Sequence, residues 1–190
     1  MTRAAMKPKA NRATSHAQPG NLDCCQTPGY ALTPLLPYLP ATWRIWECAS
    51  GEGHLANALR SYDYAVTESD VLGGLDFFSY VPAAWDCIVT NPPYSIKYRW
   101  LARCYALGKP FALLMPVETL GSGKAQAMFR EYGVEVLLLN RRVNFKMPNA
   151  GWTGQGAQFP VAWFTWQMGL GASLVYGRLD GQLSLLEAQP

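Results

Sequence analysis

Apolar positions fall along this chain in short runs that switch between a period of two and a period near 3.6 residues. TPGYALTPLLPYL (27 to 39) reads as a short helical segment with an apolar face, punctuated by prolines. WRIWECA (43 to 49) is a strand that ends in SGEG, and HLANALRSY then carries Leu55, Ala58, Leu59 and Tyr62 at helical spacing. YAVTES (64 to 69) is a second strand, Gly73-Gly74 marks a loop, and a short LDFF segment follows. WDCIVTN (85 to 91) is the next strand, the fourth when LDFF is counted, and a helix is expected from about Ile96 to Leu107. PFALLMP (110 to 116), VEVLLLN (134 to 140) and VAWFTW (161 to 166) complete the strands, with a helix at KAQAMFREY (124 to 132).

Strands alternating with helices imply βαβ units, a mainly parallel sheet and helices on both faces. Ligands on such sheets bind outside the carboxyl ends of the strands. SGEG, Ser69-Asp70, Asp76-Phe77-Phe78 and Asn91-Pro92-Pro93-Tyr94 all fall at those ends.

Composition narrows the class. A chain of 190 residues, 49% hydrophobic and 15% charged, fits one globular domain. The net charge of +3 is modest but unevenly spread. Between Glu47 and Asp86 the acids face a single basic residue, Arg60, whereas from Lys97 to Lys146 basic residues dominate. An acidic half suits a cationic small molecule and a basic half suits a polyanion. Two ordinary solvated faces would carry the same charges.

The five cysteines show no CxxC spacing, and His16 and His54 are the only histidines, so no metal site is expected. Reduced thiols and a cytoplasmic setting are the default. Residues 1 to 20 hold four basic residues, no acid and no apolar core, and read as a disordered basic arm. Met147 to Gly177 carries no charge at all. Phe159-Pro160, Gln167 and several glycines interrupt it, so a buried strand is expected there and no membrane span. Residues 21 to 178 are taken as the single domain, with 179 to 190 as a tail.

ECASGEG (47 to 53) stands at a strand-to-helix junction. Gly51 and Gly53 let the backbone turn tightly and approach a ligand. The GxGxxG spacing of a dinucleotide site is absent, and Glu47 at the strand end suits an ammonium or sulfonium group better than a pyrophosphate. A purely structural turn has the same composition. A carboxylate after the second strand can accept both ribose hydroxyls, a role open to Asp70, which is preferred, or to Glu68. Asp76 with Phe77 offers an acid and an aromatic for a purine, or equally a capping aspartate beside core rings. In NPPY, two prolines remove two backbone donors and stiffen a tongue that carries the Asn91 amide and the Tyr94 ring.

Taken together, TPGYALTPLL, WECASGEGHLANAL, SDVLGGLDFF, DCIVTNPPYS and FPVAWFTW resemble the S-adenosylmethionine-dependent N6-adenine DNA methyltransferases, particularly the short phage and prophage type. The similarity runs from about Thr27 to Trp166, in the gamma-type motif order. It implies a Rossmann-like class I methyltransferase fold, mostly parallel with one antiparallel strand. It also implies that Thr27 and Pro28 border the methionine carboxylate, that Glu47, Ala49, Gly51 and Gly53 line the methionine end, and that Asp70, Asp76 and Phe77 hold ribose and adenine. Asn91, Pro92, Pro93 and Tyr94 would be catalytic, with Asn91 also bordering the cofactor. Tyr94 would stack on a base flipped out of duplex DNA.

Arg141, Arg142, Asn144 and Lys146, in a loop around 140 to 158, are candidates for DNA recognition, with Lys97 and Arg99 near the phosphates. A plain surface loop is the alternative. So small a reader implies a short or relaxed target, and no endonuclease motif is visible. The chain is expected to act as a monomer. NPPY also occurs in glutamine and ribosomal RNA methyltransferases, and a fold kept for binding without chemistry is a further alternative.

Overall fold

The computed structural model describes residues 23, 25–147, 151–152 and 159–179. The expected N-terminal arm, all of the expected tail after Leu179 and the centre of the 140 to 158 loop lie outside those residues.

One sheet organises the chain. Its strands are β1 (Arg44–Glu47), β2 (Ala65–Glu68), β3 (Cys87–Thr90), β4 (Phe111–Pro116), β5 (Glu135–Leu139), β8 (Val161–Trp166) and β9 (Leu174–Gly177). They lie in the order β2-β1-β3-β4-β8-β5-β9. All neighbours pair in parallel except at β8, which runs antiparallel to both β4 and β5. A separate two-stranded hairpin joins β6 (Lys146–Met147) to β7 (Gly151–Trp152). Among the described residues, helices follow strand ends or loops at α1 (His54–Ser61), α2 (Lys97–Leu107) and α3 (Gly123–Tyr132). This is a Rossmann-like α/β architecture, a mostly parallel sheet with one antiparallel strand.

Strand alternation builds two cores. Ile45, Val89, Leu114 and Trp163 face one way, against Leu55 and Leu59 of α1 and the short 3-10 turns at Gly29–Leu32 and Leu36–Tyr38. Trp46, Ile88, Leu113 and Phe164 face the other way, against Trp100, Leu101 and Cys104 of α2 and Ala125 of α3. Helices therefore cover both faces. The β8 strand is buried almost throughout, and its Trp163 indole donates to the Ala31 carbonyl at 2.9 Å, so the aromatic run is satisfied inside the protein. Among the described residues no helix is long and apolar enough to cross a membrane. Cys48, Cys87 and Cys104 are free thiols.

Two expectations need correction. LDFF forms no strand, so NPPY follows the third strand rather than the fourth. The reason is local: Asp76 accepts the Phe78 amide at 3.0 Å through its side chain, and its carbonyl accepts the Ser79 and Tyr80 amides, closing a turn. The β9 strand was not foreseen. It is an edge strand with Leu174 and Tyr176 exposed, so it lacks the buried alternation that marks the others.

Chain order reverses across the sheet between β1 and β3: from β1 the chain moves outward to β2, then crosses back to β3. The crevice at that switch point opens over the carboxyl ends of both strands.

Candidate functional site

At the end of β1 the chain enters the glycine loop. Gly51 and Gly53 adopt φ of +52° and +79°, conformations that side chains with a Cβ rarely hold. Gly53 precedes α1 with no side-chain cap, and Ser50 accepts its amide at 2.7 Å. Asp70, just past β2, locks the loop in place: one carboxylate oxygen accepts the Gly51 amide at 3.0 Å and the other accepts the Leu72 amide at 2.8 Å. Glu68, the other acid left open for the same role, pairs with Arg60, keeps its second carboxylate oxygen beside Gly53 and does not line the cleft.

These elements bound an open cleft. Ala49, Gly51, Asp70, Asp76, Phe77, Asn91 and Pro93, all singled out from the sequence, line it together. Asp23, Asp70 and Asp76 contribute three carboxylates to the lining, which contains no lysine or arginine. One wall is aromatic. Phe77 is buried and stacks on Trp100 with ring centroids 4.1 Å apart, and Arg99 lies over Phe78 at 4.3 Å.

Other candidates border the cleft without lining it. Thr27 and Pro28, which follow the lining residue Gln26 in the chain, are buried. Gly53 packs close to Glu68, and Pro92 is buried. Glu47 is only 1% exposed; its Oε1 accepts the Ala49 amide at 3.0 Å and the Thr90 hydroxyl. Burial pushes its carboxyl up to about 8, partly offset by those two hydrogen bonds.

Asn91 follows β3 directly. Its Oδ1 is buried and has no hydrogen-bond partner. Pro93 holds an extended backbone, φ −56° and ψ 119°, and the chain then turns through a 3-10 segment at Tyr94–Ile96 into α2. The Tyr94 hydroxyl is also buried without a partner, and its ring meets Phe159 edge-on with centroids 5.8 Å apart. Desolvation raises the Tyr94 hydroxyl well above its ordinary value, so it stays protonated.

The basic candidates are less uniform than their sequence suggests. Lys97 donates to the Tyr94 carbonyl at 3.4 Å, and Arg142 is exposed. Arg141 lies over the Tyr30 ring, whose hydroxyl accepts the Asn144 amide at 2.7 Å. Lys146 is committed to an ion pair with Glu52 of the glycine loop. The Lys146 backbone also bridges to Gln26, whose side chain rests on Gly51 and accepts the Glu52 amide at 2.8 Å. Asp23 in turn accepts from the amide and hydroxyl of Ser95, just past NPPY.

Asp23 and Gln26 thus form a strap, Gln26 at the glycine loop and Asp23 at the NPPY turn. Sequence reasoning missed the strap because its ties reach distant partners: Glu52 is 26 residues away, Ser95 is 72 away, and Lys146 lies farther still. It also missed Thr90, Trp100 and Phe159, which read as ordinary strand, helix and loop residues. Among the described residues, no group of three or more His, Cys, Asp or Glu is placed to hold a metal ion.

The residues present fit a cationic nucleoside ligand. The lining is acidic, and an aromatic wall stands beside Asp76. No protein-family model and no curated protein matches the chain. Among solved structures it is similar to the methyltransferase subunit of a type I restriction-modification system from Streptococcus thermophilus, at 14% identity and a TM-score of 0.49, covering 79% of this chain and 45% of that one. It is also similar to a dimethyladenosine transferase from Plasmodium falciparum, at 11% identity and a TM-score of 0.46, covering 74% of this chain and 62% of that one. The chain therefore spans less than two thirds of the length of either.

Proposed function

We propose that the chain transfers a methyl group from S-adenosylmethionine to the exocyclic N6 of adenine in DNA. The observation that carries this reading is the Asn91 Oδ1: a buried acceptor without a donor, on the wall of an acidic cleft at the switch point of the sheet. Leaving a buried acceptor unpaired costs about 1–3 kcal/mol. A substrate N–H that arrives there recovers that cost.

An adenine amine is a poor nucleophile because its lone pair is delocalised into the ring. The Asn91 side-chain oxygen and the Pro92 carbonyl, held rigid by the two prolines, would accept its two hydrogens. They would favour a pyramidal nitrogen and stabilise the positive charge that develops on it. The cofactor, when bound, supplies an electrophilic methyl on a sulfonium centre. Asp70 would hold its ribose, Asp76 and the Phe77 wall its adenine, and Gln26 with the glycine loop its methionine end. Tyr94 would carry the flipped base on its ring face. Lys97, Arg99 and Arg142 favour a phosphate backbone at the cleft mouth.

The test incubates the protein with labelled S-adenosylmethionine and adenine-unmethylated duplex DNA, beside single-stranded DNA, RNA and a glutamine-containing peptide. Digestion then identifies the modified product. N6-methyladenine from duplex DNA, absent with Asn91→Ala, is the expected result. Label confined to RNA or to peptide keeps the chemistry and overturns the substrate; no transfer to any acceptor overturns the activity.

A further inference from the structure

Glu47 stands close to the cleft without lining it. Its Oε1 instead receives two hydrogen bonds from opposite sides of the switch point. One comes from the Ala49 amide, in the loop after β1, and the other from the Thr90 hydroxyl, the last residue of β3. Ala49 lines the ligand cleft, and Thr90 is bonded directly to Asn91. The paired register of the two strands ends at Trp46 and Ile88, and beyond it the Thr90 side chain links them through Glu47 and, alongside it, the Cys48 thiol.

We propose that Glu47 is a positioning residue acting through Thr90: it fixes the NPPY tongue relative to the glycine loop and so sets the distance between methyl donor and acceptor. This rests on the methyltransferase reading of the cleft and reassigns Glu47 from ligand contact to strut.

The chemistry of the site agrees. A carboxyl kept protonated at neutral pH by burial makes a poor counter-charge for an ammonium or sulfonium group, but it remains a sound hydrogen-bonding bridge. Thr90 is fully buried, so its hydroxyl has no solvent to turn to if Glu47 is lost. Asn91 makes no hydrogen bond through Oδ1, so nothing at that atom compensates for a loosened Thr90. Reacting groups misplaced by about 1 Å lose about 100-fold in rate, so a strut at this junction acts on turnover without touching either ligand.

Thr90→Val keeps the side-chain shape and removes only the hydroxyl; Thr90→Ser keeps the hydroxyl. For Thr90→Val the expected result is a kcat lower by about 10- to 100-fold, with S-adenosylhomocysteine affinity within about threefold of the parent. Thr90→Ser restores kcat to within about threefold. Unchanged turnover in Thr90→Val, or an equal loss of ligand affinity, overturns the proposal. A second readout needs no substrate. In nitrogen-15-labelled protein the Asn91 side-chain amide resonances shift and broaden in Thr90→Val and return in Thr90→Ser, with thermal melts confirming that each variant folds. An Asn91 amide indifferent to Thr90→Val overturns the strut. A responsive amide in a chain that methylates nothing keeps the strut and discards the methyltransferase reading.

Discussion

Asp70 holds Gly51 across 19 residues of sequence: its Oδ2 accepts the Gly51 amide at 3.0 Å while its Oδ1 accepts from Leu72. The acid that would bind ribose also sets the shape of the loop that would bind the methionine end. Asp70→Ala is expected to weaken S-adenosylhomocysteine binding by more than tenfold, with about 1–2 kcal/mol lost in folding stability. Calorimetric titration beside urea denaturation separates the two. An affinity unaffected by the substitution removes Asp70 from the site.

Gly51 carries a second constraint. A Cβ there would stand 2.5 Å from Gln26 Nε2, and the φ of +52° already disfavours it. Gly51→Ala is expected to cost about 1–2 kcal/mol in backbone strain and to displace the Gln26 side chain. Ligand affinity falls with it, whereas Gly74→Ala, at an exposed left-handed position with nothing within 4 Å, costs stability alone.

Asn91→Ala removes the unpaired acceptor and relieves its desolvation cost. Transfer is expected to drop by at least about 100- to 1000-fold, with cofactor affinity within about threefold and an unchanged or slightly raised melting temperature. Near-parental turnover would sink the mechanism.

Stability should depend on pH through Glu47. Its carboxyl is pushed from an ordinary 4.5 to about 8, so between those values the folded chain holds a proton that the unfolded chain has released. Stability is therefore full below about pH 4.5 and declines as pH rises towards 8, by on the order of a few kcal/mol. Asp86 opposes this at the acid end: hydrogen bonds from Arg44 hold its carboxyl below the usual range, so stability falls again as pH drops through that value. Melting temperature against pH is expected to peak in mildly acidic solution, and Glu47→Gln flattens the alkaline slope. A slope unchanged in Glu47→Gln rules Glu47 out as its source.

Arg99 lies over Phe78 at the edge of the cleft, near the start of α2. If it meets a phosphate, Arg99→Ala weakens DNA binding across sequences and reduces the salt slope by about one. Lys146→Ala should behave differently, because Lys146 is spent on Glu52: it disturbs the glycine loop before it disturbs the salt slope.

The fold was legible where period and burial agree. VAWFTW alternates large rings that pack on both sides of one strand, and HLANALRS shows one apolar face. The lining of the cleft was legible in the glycine loop, Asp70 and Asn91, because their place at strand ends brings them to the switch point of the sheet. Glu47 and Lys146 were not, because what decides them is a partner distant in sequence: Thr90 for one and Glu52 for the other. Asp76 shows both sides of the matter. It lines the cleft as expected, yet it also closes its own turn, which is why LDFF forms no strand.

Trp100 stands in the cleft wall, stacked on Phe77 and shielded from solvent. A purine entering that cleft would alter the surroundings of an indole already built into the fold. Intrinsic fluorescence should therefore report occupancy without any attached dye, and Trp100→Phe should silence the signal while Trp163, buried on the opposite face of the sheet, continues to emit.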